Sequence, residues 1–366
     1  MTTTTRRRSN TTIPCPDRRS AATTIRDVAG RAGASVKTVS RVLNGEKPVS
    51  DGTRARVLDA IRELDYLPNA HARNLARGRS GTIGVAIAMS VERAFGRFFF
   101  DEVMRGIGGV ADAEGLDILL HPWGGRVSVL DLYRQGKVDG LVLMNIPSTD
   151  RTLVEVAARG LPAVLAFQPG HSRRSSEEYV WVDSDNVGGM GAAVRHLLGF
   201  GHRRFALLNG PADLAVCQLR LEGYRTALAA AGLPVTERSL TWGDFSLESG
   251  CERFLAIWRS TPETNRPTAI LCGDDTIALG ALDGARRLGL EVPRDLSVVG
   301  FDDITLAGYA RPPLTTIRQD ALAKGRAAAE MLVSLLNGTL ATRHRVLPTE
   351  LVVRESTGPA PKGAGR

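Results

Sequence analysis

Val36, Lys37, Ser40, Arg41 and Asn44 share one face of any α-helix drawn through them, because side chains three and four apart are neighbours on a helix. Exposed valine beside lysine and arginine suits the edges of nucleic-acid bases. The valine methyls can meet a thymine methyl, and arginine can reach guanine O6 and N7 with two parallel hydrogen bonds. Thr38 and Ser40 add hydroxyls that donate or accept at short range. On the opposite face Val39, Val42 and Leu43 form an apolar stripe that must be buried. The chemistry this spacing permits is groove reading, provided another element holds the helix.

That element lies immediately upstream. Thr24 is placed to cap a first helix, with Asp27 three residues on as the acidic half of a capping box. Ile25, Val28, Ala29 and Ala32 recur at helical spacing, Gly33 and Ala34 break the chain, and Ser35 can cap the second helix, which runs to about Asn44. Two short helices about a small-residue turn form a helix-turn-helix; two ordinary surface helices of a larger helical domain would show the same periodicity. Ser50 can cap a third helix whose Val57, Ile61 and Leu64 close a small core, and Tyr66-Leu67-Pro68-Asn69 ends it.

Charge is segregated in the same way. Residues 1–80 hold 16 Lys+Arg against 7 Asp+Glu, and the remaining residues hold 31 against 32, so the net charge of +8 belongs to the N-terminal fifth of the 366-residue chain. A basic head on a neutral body matches the electrostatic footprint of a duplex-binding module. Residues 1–23 include Arg6 to Arg8 but no apolar core of a secretion signal, and they read as a disordered basic arm. Four cysteines without C-x-x-C spacing point to free thiols in a reducing compartment, and no run reaches transmembrane length. A cytoplasmic location is expected.

Ala70 to Ala76 could form a short helix before the Arg77-Gly78-Arg79-Ser80-Gly81 stretch. It is too short to be stable alone and would fold only against DNA or its twin in a dimer. Leu75 would then be a wedge for a base step; the same residues also read as a linker with one incidental leucine. From Thr82 the pattern becomes strands alternating with helices. TIGVAIAM, LDILLH, VDGLVLM and PAVLAF precede a polar stretch at 168–178, and YVWVD, RFALLN, SLTW, TAILCGD and LSVVGF follow it. Near-continuous apolar strands imply parallel sheets covered on both faces. Nine of them imply two α/β lobes with a ligand cleft at the strands' carboxyl ends.

Catalytic constellations do not emerge from this body. Gly188-Gly189-Met190-Gly191 lacks the third glycine of a dinucleotide loop and fits a helix start packed close to a strand. His196 and His202 stand six apart, the wrong spacing for two ligands on one helical face. There is no phosphate-binding loop and no nucleophile elbow. No catalytic residues, metal ligands or cofactor are assigned.

With those residues laid out, the chain resembles the lactose-repressor (LacI/GalR) family of bacterial transcription regulators from about Thr24 to Glu355. The resemblance rests on TIRDVAGRAG, SVKTVSRVLNG, YLPNAHARNLA, GHRRFALLNG, DDTIALGALDGARRLGLEVPRDLSVVGFDD and PPLTTIRQD, in family order. It implies a small all-α helix-turn-helix headpiece on a two-lobed core like that of periplasmic sugar-binding proteins. In such a core the chain crosses between lobes three times, the first lobe holding about 82–182 and 319–348. The implied organisation is a basic arm at 1–23, a DNA-binding domain at 24–68, a hinge at 69–81, an effector-binding and dimerisation domain at 82–355 and a flexible tail at 356–366. A homodimer would read a near-palindromic double-stranded operator.

Carried over position by position, Val36, Lys37 and Arg41 fall where the family reads bases, and Leu75 falls at the hinge leucine it inserts into the minor groove. Ala76 follows without a charge. For the effector, Arg220 matches the cleft arginine, Asp302 its acidic partner, and Phe245 an aromatic that packs on ligand. Asp274 sits where sugar-responsive members have asparagine or aspartate. Phe99 and Phe100 would lie at the tip of the first lobe's first strand, free to stack on a ring or to pack in the core. Guanidinium and carboxylate groups beside an aromatic suit a sugar. Phe167 and Gln168 depart from the family, being apolar and amide where many relatives place aspartate or arginine. The expected function is a DNA-binding regulator, a repressor, controlled by a sugar. The rivals are the same regulator responding to a nucleoside or purine co-repressor, and a solute-binding protein serving a transporter.

Overall fold

The computed structural model describes residues 23–43, 45, 48–67, 78–88, 98–123, 127–147, 150–169 and 176–361. Two compact units divide the chain, one up to Gly78 and the other from Arg79 onward.

The N-terminal unit contains α1 (Ile25–Ala32), α2 (Val36–Leu43) and α3 (Asp51–Glu63). The capping box forms as the spacing implies: Asp27 N–H donates to Thr24 Oγ1, while the Thr24 N–H donates to the Asp27 carboxylate at 2.8 Å. Gly33 ends α1 at φ 58°, the left-handed conformation that glycine adopts without penalty, and Ser35 caps α2 through the Thr38 N–H at 3.1 Å. Ser50 caps α3 in the same way. Val28, Val39 and Val57 are fully buried at the centre, with Ala29, Ala32, Val42, Ala60 and Tyr66 around them. Ile61 and Leu64, expected with Val57 to close the core, are only partly buried, and Ala60 and Tyr66 are covered more fully than they are.

The second unit holds two six-stranded sheets. The first comprises β1 (Thr82–Ile87), β2 (Asp117–Pro122), β3 (Gly140–Met144), β4 (Ala163–Leu165), β5 (Trp181–Ser184) and β11 (His344–Leu347), in the spatial order β11-β5-β4-β3-β1-β2 with every pair parallel. The second comprises β6 (Phe205–Leu208), β7 (Leu240–Thr241), β8 (Ala269–Cys272), β9 (Ser297–Asp302), β10 (Thr315–Gln319) and β12 (Thr349–Val352), in the order β12-β10-β9-β8-β6-β7. There β12 alone runs antiparallel to its neighbour. Strands such as β3 and β8 are buried at every position, which explains their unbroken apolar runs. The helices of the first lobe are α4 (Phe98–Ala113), α5 (Val129–Arg134), α6 (Arg151–Ala158) and α12 (Ala321–Leu336). Those of the second are α7 (Asn186–Gly199), α8 (Ala215–Ala230), α9 (Leu247–Ser260), α10 (Asp275–Arg287) and α11 (Thr305–Tyr309).

All nine apolar runs are strands. The seam between lobes lies just after β5, which completes the first sheet beyond the polar stretch at 168–178. The chain crosses between lobes at 184–186, 319–321 and 347–349. Gly188 to Gly191 open α7, as expected; a Cβ at Gly189 would meet Thr349 Oγ1 at 2.8 Å and Ile317 Cγ2 at 2.9 Å.

Two further expectations are corrected. Phe99 and Phe100 belong to the first turn of α4, not to a strand tip, because the apolar face of α4 begins there and buries Phe100 in the first lobe's core. Residues 356–361 are not a loose tail. Ser356 is fully buried, its hydroxyl donating to the Val298 carbonyl at 2.6 Å and accepting from the Thr315 N–H at 2.8 Å. Beyond it the Ala360 N–H reaches the Phe200 carbonyl. The buried backbone of β9 and β10 needs those partners, and the small residues Ser-Thr-Gly fit beside it.

His202 anchors this segment. It is fully buried, with Nδ1 against Thr268 Oγ1 at 2.9 Å and Nε2 at 3.0 Å from both Ser297 Oγ and the Gly358 carbonyl. Burial holds its pKa below the ordinary 6.5, opposed by the Gly358 carbonyl. The native state therefore keeps it neutral while the unfolded state binds a proton as pH falls through the ordinary value, so stability is present above that value and is lost on acidification. The thermal midpoint should fall between pH 7 and 5, and His202→Gln should flatten that limb; an unchanged slope in the variant would remove His202 as its source.

In the first lobe α4 and α12 cross at reciprocal glycines, a Cβ on Gly325 overlapping the Val103 carbonyl and one on Gly106 overlapping the Leu322 carbonyl. Gly325→Val should cost about 1–3 kcal/mol by overpacking, read as a lower midpoint in denaturant.

Candidate functional site

The first candidate surface is the outer face of α2. Burying Val39 and Val42 leaves Val36 and Lys37 exposed and Ser40 and Arg41 half-buried on the opposite side. Val36 is 42% exposed, which is unusual for valine on a helix whose neighbouring valines are fully covered. Thr38 is half-buried and its hydroxyl lies 2.9 Å from Ser35 Oγ, so it is tied into the cap. α1 and α3 pack behind this face around the shared valine core, and Arg31 on α1 pairs with Glu63 on α3 at 2.5 Å. Asn44 and Leu75 lie outside the described residues.

The second is a cleft in the core unit, lined by residues of both lobes and partly open to solvent. Arg220, Phe245, Asp274, Asp302, Phe99 and Phe100 all line it. Arg220, on α8, is 3% exposed, and its planar guanidinium lies over Phe301 at 3.8 Å from the centroid. Its Nε donates to Asn186 Oδ1 at 3.0 Å, one Nη to the Gly273 carbonyl, and the other to Asp302 Oδ1 at 3.2 Å. Guanidinium has five N–H donors, so Arg220 keeps N–H groups for a ligand.

Asp302 ends β9 with φ at 117°, followed by Asp303 at 57°. Both are conformations that L-residues avoid, at a cost on the order of 1–3 kcal/mol each. Asp303 is clamped by Arg354 at 2.6 Å and Arg318 at 2.8 Å, which fixes the turn that presents Asp302. Burial raises the Asp302 carboxyl above the usual carboxylate range, opposed by the Arg220 charge and the Gln319 hydrogen bond. Both of its side-chain bonds fall on Oδ1. Oδ2 is therefore the acceptor it can offer beside the arginine donors.

The structure joins this pair to three residues that the sequence reading missed. Gln319 Nε2 donates to Asp302 Oδ1 at 2.6 Å, while Gln319 Oε1 accepts from Lys324 Nζ at 3.0 Å. Lys324 Nζ also donates to Asp183 Oδ1 at 2.8 Å, and Asp183 Oδ2 accepts the Gln168 N–H at 2.8 Å. Lys324 is 3% exposed and stands 5.4 Å from the Phe99 ring centroid. A run of hydrogen bonds thus extends from α8 in the second lobe to β5 and α12 in the first, passing through the second crossing. One signal was available: Lys324 interrupts the Ala-rich stripe of Ala321, Ala327, Ala328, Met331 and Leu332 that α12 buries.

The remaining candidates sort by position. Asp274 caps α10, its Oδ1 accepting the Ile277 N–H at 2.7 Å. Asp275, next to it, is a buried brace whose carboxylate takes the Thr316 hydroxyl at 2.5 Å and the Ile304 N–H at 2.8 Å. Burial, reinforced by the Asp302 charge, pushes its pKa well up. Phe245 closes one wall, and Gly210 leaves the space its ring fills. Phe99 is half-buried beside Lys324, whereas Phe100 is 3% exposed and mainly core. Phe98, which was not singled out, is 41% exposed and lines the same cleft. Phe167 is buried wall, and Gln168 contributes its backbone to Asp183.

Comparison with known proteins bears on both surfaces. Residues 24–69 match the family of bacterial regulatory proteins of the lacI type, and residues 194–357 match the periplasmic binding protein-like domain. The chain is 35% identical over 339 residues to the HTH-type transcriptional regulator CelR of Thermobifida fusca, covering 91% of this chain and 98% of that protein. It is 35% identical over 347 residues to the HTH-type transcriptional repressor CytR of Escherichia coli (strain K12), covering 93% and 98%. Among solved structures it is similar to the lac repressor dimer bound to operator and the anti-inducer ONPF, with a TM-score of 0.80, 31% identity and coverage of 92% and 99%. It is also similar to a CelR–cellobiose complex, with a TM-score of 0.69, 34% identity and coverage of 91% and 99%.

Proposed function

The chain belongs to the LacI family of bacterial regulatory proteins, and on that premise we propose that it is a dimeric, cytoplasmic repressor whose hold on a near-palindromic operator is set by a carbohydrate in the interlobe cleft. It is a DNA-binding transcriptional regulator under allosteric control and not an enzyme. Among the described residues no helix is long and apolar enough to cross a membrane.

The observation that carries the sugar reading is Arg220 beside Asp302: N–H donors and a carboxylate oxygen side by side in a cleft walled by Phe99 and Phe245. Adjacent hydroxyls on a pyranose need a donor and an acceptor spaced in that way, and the apolar face of the ring needs an aromatic. A similar solved structure, the CelR–cellobiose complex, supports the same class of ligand. A bare purine base has no adjacent hydroxyls for this pair, so the polar lining favours a hydroxylated ring over a purine co-repressor; a nucleoside would meet the pair through its ribose.

On the DNA side, Val36, Lys37, Ser40 and Arg41 are assigned to base edges, with Thr38 supporting the cap, Asn44 placed on the same face by helical spacing and Leu75 carried from the family pattern. Linkage joins the two ends: a ligand that prefers one arrangement of the lobes changes operator affinity by the same coupling free energy, typically about 1–3 kcal/mol.

Arg41→Ala should lower operator affinity by about 1–3 kcal/mol and relax preference at one base pair per half-site, measured by gel shift against single-base operator variants. Equal weakening on every sequence would assign Arg41 to phosphate instead. Arg220→Ala should weaken calorimetric sugar binding by about 1.5–3 kcal/mol and abolish the ligand response in the gel shift, while operator binding without ligand persists. Unaltered sugar affinity in a folded variant would remove Arg220 from the site.

A further inference from the structure

Phe245 stands on the loop that follows β7, beside the loop that follows β6. The two strands pair at Leu207–Leu240 and Leu208–Thr241. The Asn209 N–H then donates to the Thr241 carbonyl at 2.8 Å, and beyond that bond both chains leave the sheet. Arg253, half-buried on α9, joins them again. Its Nη1 donates to the Asn209 carbonyl, its Nη2 to the Asp244 carbonyl at 3.3 Å, and its Nε to the Ser249 carbonyl one turn back at 3.0 Å. One planar group thus ties both loops to its own helix. The Asp244 carbonyl belongs to the peptide bond that carries Phe245. Two glycines leave room for the arrangement. A Cβ on Gly210 would overlap the edge of the Phe245 ring, and one on Gly243 would stand 2.7 Å from Nε and Cζ of Arg253. Neither glycine is in the left-handed region, so what each supplies is space.

We propose that Arg253 is a positioning residue of the effector site: by bracketing the Asn209 and Asp244 carbonyls it holds the Phe245 ring in the place where a ligand packs on it. The inference rests on the carbohydrate reading, in which Phe245 is an aromatic wall, and extends it to a side chain outside the cleft lining. An unbraced loop would have to be ordered when the ligand binds, and affinity would fall by that entropic cost. Bracing the loop beforehand removes it. A guanidinium suits the task because its N–H groups lie in one plane at fixed spacing, whereas an ammonium is a single point. Arg253 also brings charge to this wall: burial lowers its pKa, opposed by nearby Cys272, Asp244 and Asp274. Lysine keeps that charge but cannot span the two carbonyls, so Arg253→Lys separates the bracket from the charge.

The test uses the full chain, first without sugar. With fluorotryptophan incorporated and its resonances assigned by Trp242→Phe, Arg253→Lys should shift or broaden the fluorine signal of Trp242, on the same loop as Phe245. The signals of Trp123 and Trp181, in the first lobe, should stay in place. An unmoved Trp242 signal overturns the bracket. Calorimetry with glucose, galactose, ribose and cellobiose follows. For a sugar that binds wild type, Arg253→Lys should weaken binding about tenfold, whereas the same change on a Phe245→Ala background should weaken it by less than about twofold. Equal losses on both backgrounds, or wild-type affinity in Arg253→Lys, overturn the positioning role and leave the carbohydrate reading standing. A panel in which no sugar binds overturns that reading, and the positioning role falls with it. Should Arg253→Lys fail to fold, Gly243→Ala serves, since its methyl displaces the guanidinium while the arginine and its charge remain. It should give the same fluorine change and the same loss of affinity, and wild-type behaviour in either measurement overturns the inference.

Discussion

Charges removed from water must be paired, and in this core the pairs are strung along the crossings between the lobes. Arg220 and Asp302 belong to the second lobe, Lys324 and Asp183 to the first, and Gln319 connects them at the end of β10, where the chain passes from one to the other. Removing one member of such a pair leaves a buried charge, a loss of about 3–5 kcal/mol. The pairs are therefore a constraint on geometry more than a source of stability. β9 must end in a strained turn, α12 must carry a lysine on its apolar side, and Asp303 must be clamped by Arg318 and Arg354 so that Asp302 is presented correctly.

The DNA-facing unit depends on a different economy. Its core is a handful of small residues around three valines, and local signals supply much of its definition. Thr24, Ser35 and Ser50 each satisfy N–H groups that a helix start would leave orphaned, and Gly33 supplies the one left-handed residue between α1 and α2. Because capping and turn chemistry are encoded over three or four residues, this unit could be described helix by helix from its sequence. Its outer face follows from the same periodicity, since burying Val39 and Val42 dictates where Val36 and Arg41 point.

Legibility was lower in the core, and the reason is distance along the chain. The strands were visible because a strand buried on both faces has no polar residue to interrupt it, as in β3 and β8. Which strands share a sheet was not visible from composition. The polar stretch at 168–178 resembles a boundary, yet β5 beyond it pairs with β4 and β11. Arg220 and Asp302, carried over from the family pattern, do meet, although 82 residues separate them. Lys324 and Asp183 are 141 apart, and no local pattern announces that a lysine on one helix answers an aspartate at the end of a strand. The docked 356–361 segment escaped for a related reason: a Gly/Pro-rich composition describes a loose chain equally well until His202, Ser297 and Thr315 are seen to need its backbone and hydroxyl groups.

The size of the coupling limits how the switch can work. Allosteric linkage is typically worth about 1–3 kcal/mol, while breaking a buried ion pair costs about 3–5 kcal/mol. A ligand on this scale can bias the lobes but cannot rupture Arg220–Asp302 or Lys324–Asp183 and still bind. Both pairs should therefore persist in each state, and the change must be absorbed where the chain passes from one sheet to the other. The three crossings qualify, and Gln319 at the second bonds to a carboxylate that the ligand would touch and to an ammonium in the other lobe. An amide suits that position because it donates to one group and accepts from the other; its reorientation shifts two lobes against one another without exposing a bare charge. The interaction that fixes the cleft is in this way also the one through which a ligand can move it.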